Sequence, residues 1–416
     1  MQVRQTVLTM LEAAALAPLA AIDPDLVLVF AAPAFFQDPG FAASLAAAFP
    51  SARRLALSTA GEISSQGVSE QSIVVTAIRF ERISFTVAAT DFAGMDDSAA
   101  AGRRLAEQLL SSRSPGRPKN DLAPVGGGSA VVSEPGAQPL PELKAVLLLT
   151  QGVGVNGSEL IDGVVSVLGR DIPLTGGLAG DYGAFSRTWA LLDDSVSDHL
   201  MLAVGFQGDA VSFAHGSFGG WQSFGPARRA TRAAGNVLYE LDGEPALAIY
   251  KRYLGEYAKD LPASGLLFPF AILSHEREET GLIRTLLAMD ESDGSLTLAG
   301  DIPQDGYLKL MHASTEALVD GAEAAAEAAS MMATSAGQSL AILISCIGRK
   351  LVMGDRVDEE VEAVGAVFGQ NCALTGFYSN GEISPFLETT ECKLHNQTMT
   401  ITWLRSEEHT SELQSH

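Results

Sequence analysis

Three short turns carry the residues best suited to chemistry. The first holds Ser58, Thr59, Gly61 and Glu62. The second holds Thr175, Gly176 and Asp181, and the third holds Thr375, Tyr378, Ser379, Gly381 and Glu382. Each combines hydroxyls, glycines and one carboxylate. Glycine lets the backbone approach a ligand closely, and free backbone N–H groups bind an anion such as a carboxylate. The neighbouring Glu or Asp accepts from an amine. Together these groups match a zwitterion. The competing reading is structural: three tight turns whose carboxylates bond their own backbone. The residues alone leave both readings open.

Other constellations are thin. No G-x-S-x-G elbow, P-loop, H-E-x-x-H or kinase signature is present. Gly152-Val-Gly-Val-Asn-Gly157 has the letters of a dinucleotide loop, but no acidic residue ends a second strand about 20 residues on. His199, His215, His275, His312 and His395 do not pair at metal-ligating spacing. His215 stands in a turn-rich, aromatic stretch ending at Trp221, company that suits a flat cofactor. A hydrolase built on Ser58 or Cys346 lacks a base placed by sequence. Cys346, Cys372 and Cys392 are the only cysteines and form no CxxC, which fits a reducing compartment.

The turns sit within a layout that occurs three times. Apolar runs at 26–30, 146–150 and 340–344 read as buried strands. Helical patterns follow at 41–49, 159–168 and 359–368, and each leads through a short strand into one turn. Alternating strands at 73–78, 83–88, 201–206 and 399–403 suggest flanking hairpins. The expected class is α/β, with mixed sheets built from repeated βαβ-type units in two domains. In such sheets ligands bind beyond the carboxyl ends of the strands, where all three turns fall. The region 221–335 differs, with helical patterns at 246–257 and 315–334 and strand-like runs at 282–289 and 295–298. Ser314 or Thr315 caps the last helix.

The ends and one insertion stand apart. Val7, Leu8, Leu11, Ala14, Ala15 and Leu16 recur at helical spacing, which predicts an amphipathic helix within 1–23; Glu12 and Pro18 argue against a signal peptide. Residues 111–141 are rich in Ser, Pro and Gly and read as a flexible insertion. Residues 405–416 resemble a translated sequencing adapter and are set aside from fold reasoning.

Composition narrows the partners. Apolar residues make up 47% and charged residues 19% of 416, as in a globular chain. Lys and Arg number 27 against 50 Asp and Glu, a net charge of −23. That argues against nucleic acid and against anionic membranes as partners. No apolar run reaches the roughly 18–20 residues of a membrane helix.

Several motifs resemble the FIST sensory domains. Ser58-Thr-Ala-Gly-Glu-Ile-Ser64 resembles the FIST N-terminal turn. Tyr239-Glu-Leu-Asp-Gly-Glu-Pro-Ala-Leu247, Tyr253-Leu-Gly255, Gly376-Phe-Tyr-Ser-Asn-Gly-Glu-Ile-Ser-Pro385 and Leu394-His-Asn-Gln-Thr398 resemble the FIST C-terminal domain. The resemblance spans about 24–404 in order and implies an N-terminal domain over 24–220 and a C-terminal domain over 221–404. It implies a cytoplasmic sensor that binds a small ligand, amino-acid-like or a carboxylate, without a cofactor, and that regulates a histidine kinase or other output protein. The alternative it implies is a haem-binding nitric oxide sensor, with His215 or His275 as axial ligand.

Overall fold

The structure is a computed structural model that describes residues 1–111, 142–333, 337–385 and 391–406. The insertion at 112–141 and residues 407–416 lie outside the described residues. It is a mixed α/β protein in which the threefold repeat of the sequence becomes three six-stranded mixed sheets.

Each unit has the same plan. An edge strand comes first: Gln2–Leu8, Ser84–Asp91 or Val211–Phe218. A lead strand follows: Leu26–Ala31, Leu143–Thr150 or Ser339–Cys346. Helices then connect it to a second, parallel strand: Arg53–Ser58, Leu174–Leu178 or Cys372–Ser379. Next comes a small hairpin, and finally a return strand antiparallel to the lead strand: Ile73–Arg79, Leu200–Gln207 or Met399–Ser406.

The hairpins do not stay with their own units. The first, Glu62–Ser64 with Gly67–Ser69, joins the third sheet, where Glu62 pairs with Phe377. The second, Ala190–Leu192 with Ser195–Ser197, joins the first sheet, where Ala190 pairs with Leu57. The third, Gly381–Pro385 with Cys392–His395, joins the second sheet, where Glu382 pairs with Gly177. The exchange is cyclic. The second and third sheets each draw strands from both sides of residue 220.

The lead strands read as unbroken apolar runs because both of their faces are buried. Alternate residues Leu28 and Phe30, Leu147 and Leu149, and Ile342 and Ile344 enter one core shared by all three sheets. The opposite faces, such as Val27 and Val29, Val146 and Leu148, and Leu343, meet separate cores, each covered by helices. Asn156 starts one covering helix, Gly157–Leu168, by accepting from the Glu159 N–H at 3.2 Å. Ser314 caps Thr315–Met332 in the same way.

Three details differ from the sequence expectation. The N-terminal segment is not one amphipathic helix: Gln2–Leu8 is a strand paired with Ile73–Arg79, and only Ala13–Ala20 is helical. Val3, Thr6 and Val7 are β-branched, and an open sheet edge supplies the pairing that a lone helix lacks. The run at 282–289 is split, because Glu279–Arg284 and Leu286–Asp290 are separate strands. Arg405 and Ser406, set aside as tail, extend the last strand by pairing with Ser212 and Val211. Backbone pairing accepts any side chain that the edge tolerates. Residues 222–313 form an inserted eight-stranded sheet with the helix Ala246–Leu254 and a core of its own.

At the centre the chain leaves no room for side chains. A Cβ on Gly180 would lie 2.5 Å from the Ala60 backbone nitrogen. Relief requires one turn to move off another. Gly180→Ala is expected to destabilise the protein by about 1–3 kcal/mol, read from urea unfolding midpoints. An unchanged midpoint would show that the turns are not in contact.

Candidate functional site

The three turns meet one another. Ala60 N–H donates to the Tyr378 carbonyl at 2.8 Å, Gly180 N–H to Ser58 at 2.8 Å, and Asn380 N–H to Leu178 at 3.3 Å. The bonds run from each unit to another and close a ring. Ser58 Oγ adds a bond to the Gly180 carbonyl at 2.9 Å.

The turn carboxylates are spent inside this ring. Glu62 and Glu382 are fully buried. Glu62 accepts from Thr59 Oγ1 at 2.5 Å, from Ser72 N–H and Oγ, and from the Tyr182 hydroxyl at 3.2 Å. Glu382 accepts from Ser379 Oγ at 2.6 Å and from Thr398 N–H and Oγ1. The two cages repeat one design. Burial pushes both carboxyls up, against the bonds that stabilise the charge, and Glu382 reaches about 7.

Of the twelve residues expected to touch a ligand, Asp181 borders an open space. Ser58, Thr59, Gly61, Glu62, Thr175, Gly176, Thr375, Tyr378, Ser379, Gly381 and Glu382 are all buried. Thr375 Oγ1 bonds Thr76 Oγ1 at 2.9 Å, and the Tyr378 hydroxyl donates to Glu360 at 2.6 Å. A Cβ on Gly176 would meet the Leu148 carbonyl oxygen at 1.9 Å. The glycines here bring backbone to backbone, which agrees with the structural reading of the turns.

The open space is a cleft of about 680 Å³ beside the first lead strand. Pro33, Phe36 and Gln37 form one wall, from the short helix after Leu26–Ala31. Tyr182, Arg187 and Trp189 form the other, from the loop after the second turn. Asp181 shapes that loop by accepting from the N–H groups of Phe185, Ser186 and Arg187 at 2.7–3.1 Å. The Arg187 guanidinium lies 4.1 Å over the Trp189 ring, and its Nε donates to Asp198 at 2.6 Å. The Tyr182 hydroxyl links the cleft to Glu62 and accepts from Gln71 N–H at 2.8 Å. Burial and the nearby Glu62 carboxylate push the Tyr182 phenol up, so it stays a donor.

The threefold plan predicts two more such spaces, and the chain fills both. Ala31, Thr150 and Cys346 occupy equivalent strand ends, opposite Ser58, Leu178 and Ser379. Beyond Cys346, Lys350 Nζ donates to the Ala60 carbonyl at 2.7 Å and pairs with Glu70. Beyond Thr150, Gly152 packs against Ala179, where a Cβ would stand 1.8 Å from the carbonyl oxygen. The loop 152–157 therefore has no space for a pyrophosphate at Gly152.

Sequence reasoning missed Arg187, Trp189, Tyr182 and Phe36. The available signal was an Arg and a Trp two residues apart just after the Gly-Asp turn. In extended chain that spacing places both on one face.

Neither histidine candidate fits a haem. His275 is exposed between strands Phe270–Leu273 and Glu279–Arg284. His215 is 9% exposed and its Nδ1 has no hydrogen-bond partner. Burial pushes its pKa down, which suits a neutral ligand. Its strand, however, is paired along its length with Met399–Ser406, and the helix behind is so close that a Cβ on Gly216 would meet the Ala325 carbonyl at 1.9 Å. Neither histidine borders the cleft. Ser58 and Cys346 face no cleft either. Ser58 Oγ is bonded to backbone, and burial pushes the Cys346 thiol up.

The FIST N domain model matches residues 25–244, more than half of the chain, and the FIST C domain model matches residues 246–385. The chain belongs to the FIST family. FIST domains are signal-transduction sensory domains. The boundary between the two matches falls inside the inserted sheet, where Leu241 pairs with Glu244. The FIST chain is also similar to an uncharacterized protein of Methanocaldococcus jannaschii, MJ1623, with 35% identity over 98 residues, which is 23% of this chain. It spans 19% of that relative's length. Among the described residues, no helix is long and apolar enough to cross a membrane.

The buried carboxyls give a pH dependence with a definite sign. Glu382 is raised from 4.5 to about 7, so its contribution is complete at low pH and is lost as pH rises through 7. Glu62 shifts in the same direction. His395, lowered to about 4, works the opposite way, but below pH 6.5. Between pH 6.5 and 8.5 the protein is expected to lose about 1 kcal/mol through Glu382, and Glu382→Gln to flatten that slope. Urea melts across this range check it; parallel slopes in the two proteins would contradict the assignment.

Proposed function

We propose that this FIST protein is a cytoplasmic, non-catalytic sensor that binds a small polar ligand in the cleft and regulates a partner of the two-component type, a histidine kinase or other bacterial output protein. One observation carries the reading. Of three equivalent strand ends, two are filled by the chain's own side chains or backbone, and the first keeps a cleft of about 680 Å³ with a guanidinium and aromatic rings on its walls. A volume in the range of about 300–1,000 Å³ is typical of small-molecule sites. Its position beyond the carboxyl end of a parallel strand is where open α/β sheets place ligands. The unpaired cysteines support a reducing compartment.

The cleft is also placed to transmit a signal. Tyr182 belongs to the second unit, Glu62 to the first, and the hairpin that Glu62 opens is built into the third sheet. A ligand that pulls on Tyr182 therefore acts on all three sheets, by no more than its differential affinity for the two arrangements.

A thermal-shift screen of amino acids, organic acids and related metabolites tests the site. Hits are expected to weaken about tenfold or more in Arg187→Ala and Trp189→Ala. They are expected to persist in Glu382→Gln, whose carboxyl lies outside the cleft. Hits that survive both cleft substitutions would place the ligand elsewhere. Kinase autophosphorylation with and without the hit then reads the regulatory half.

A further inference from the structure

We infer that the cleft selects an organic monoanion, a carboxylate on a flat or apolar body, over a zwitterion or an amine. This rests on the cleft being the ligand site. It replaces the amine-accepting chemistry that the turn carboxylates suggest in sequence.

The ground is which polar groups remain uncommitted. Asp198 holds Arg187 through Nε alone, and among the described residues the two terminal nitrogens of Arg187 donate to no protein acceptor. The Trp189 indole N–H likewise meets no acceptor there, since the only bond from Trp189 is its backbone N–H to Ser58 Oγ. Stacking on Trp189 fixes the guanidinium plane. A fixed planar fork with two free nitrogens matches a carboxylate.

The acidic groups near the cleft are closed to an ammonium. Asp181 is 6% exposed, and its two oxygens accept four hydrogen bonds from Phe185, Ser186 and Arg187. Glu62 reaches the cleft only through the Tyr182 hydroxyl, which donates to it. Asp198 is already bonded to Arg187. An entering amine would find a cation and committed carboxylates, while a carboxylate finds the two terminal guanidinium nitrogens of Arg187. Desolvating an ammonium without a partner is unfavourable. The Phe36 ring and the Pro33 ring supply an apolar wall for the body of the ligand, and the volume exceeds what an inorganic anion fills.

The surroundings make the prediction sharp. The chain carries a net charge of −23, so its average surface attracts cations. Among the residues that line the cleft, Arg187 is the cation that can supply a local preference for anions, and Lys350 near Tyr182 is paired with Glu70.

Collisional quenching of tryptophan in the full chain reads this preference directly. Trp221 and Trp403 are buried, and Trp189 is the partly exposed one. Iodide is expected to quench Trp189 several-fold more strongly than caesium, Trp189→Phe to remove the accessible emission, and Arg187→Gln to reverse the order. Benzoate is expected to protect Trp189 from acrylamide, and L-phenylalanine and phenethylamine to protect far less. Caesium quenching as strong as iodide overturns the inference. Protection by phenylalanine or phenethylamine in place of benzoate overturns the ligand class and leaves the cleft as the site. Protection by none of the three overturns the cleft itself, and the inference with it.

Discussion

Ala60 to Tyr378, Gly180 to Ser58 and Asn380 to Leu178 are backbone hydrogen bonds between turns far apart in sequence, and the architecture depends on them. Each joins one unit to another, so the ring closes only when all three units are in place. Around it Glu62 and Glu382 are shut off from water. Glu62 and Glu382 are therefore caged by hydroxyls and N–H groups, which offset part of the cost of burial. The glycines follow from the same constraint, since backbones must pass within van der Waals contact.

Hairpin exchange extends this constraint to the sheets. Each sheet ends in strands from another unit, so no unit completes its sheet alone. The shared inner core has the same property: Phe30 of the first unit stacks near Phe377 of the third at 4.8 Å. The inserted sheet joins this body through Trp221, whose indole donates to the Gln397 carbonyl, and through Arg284, which donates to the Leu394 carbonyl. Both acceptors lie in the segment that leads to Thr398 and hence to the Glu382 cage. Hydrogen bonds thus link the cleft to the Glu62 cage, and the inserted sheet to the segment beside the Glu382 cage.

The departure from symmetry is the basis of the proposed ligand site. Threefold repetition gives three equivalent strand ends. Lys350 fills one and Gly152 closes another, while Pro33 and Phe36 leave the first open. The carboxylates that look functional in sequence hold the scaffold together. The residues that line the cleft, Arg187 and Trp189, belong to a loop with no recognisable motif.

Much of this was legible in the chain. Unbroken apolar runs gave the lead strands, because burial on both faces removes alternation. Helical periodicity gave the covering helices, and Gly with Glu or Asp gave the turns. Val7 and Leu8 misled, because a sheet edge far along the chain decides whether such residues pair or coil. The cyclic exchange of hairpins was not legible either: strands of three to five residues carry too little pattern to name a partner sheet. Sequence by itself determined the repeat, the class and the family, since these follow from local periodicity and motif order. Only the tertiary structure decided that Glu62 and Glu382 are enclosed by hydroxyls and N–H groups and that Arg187 lines the cleft. Which polar group is left unpaired depends on every neighbour that folding brings to it.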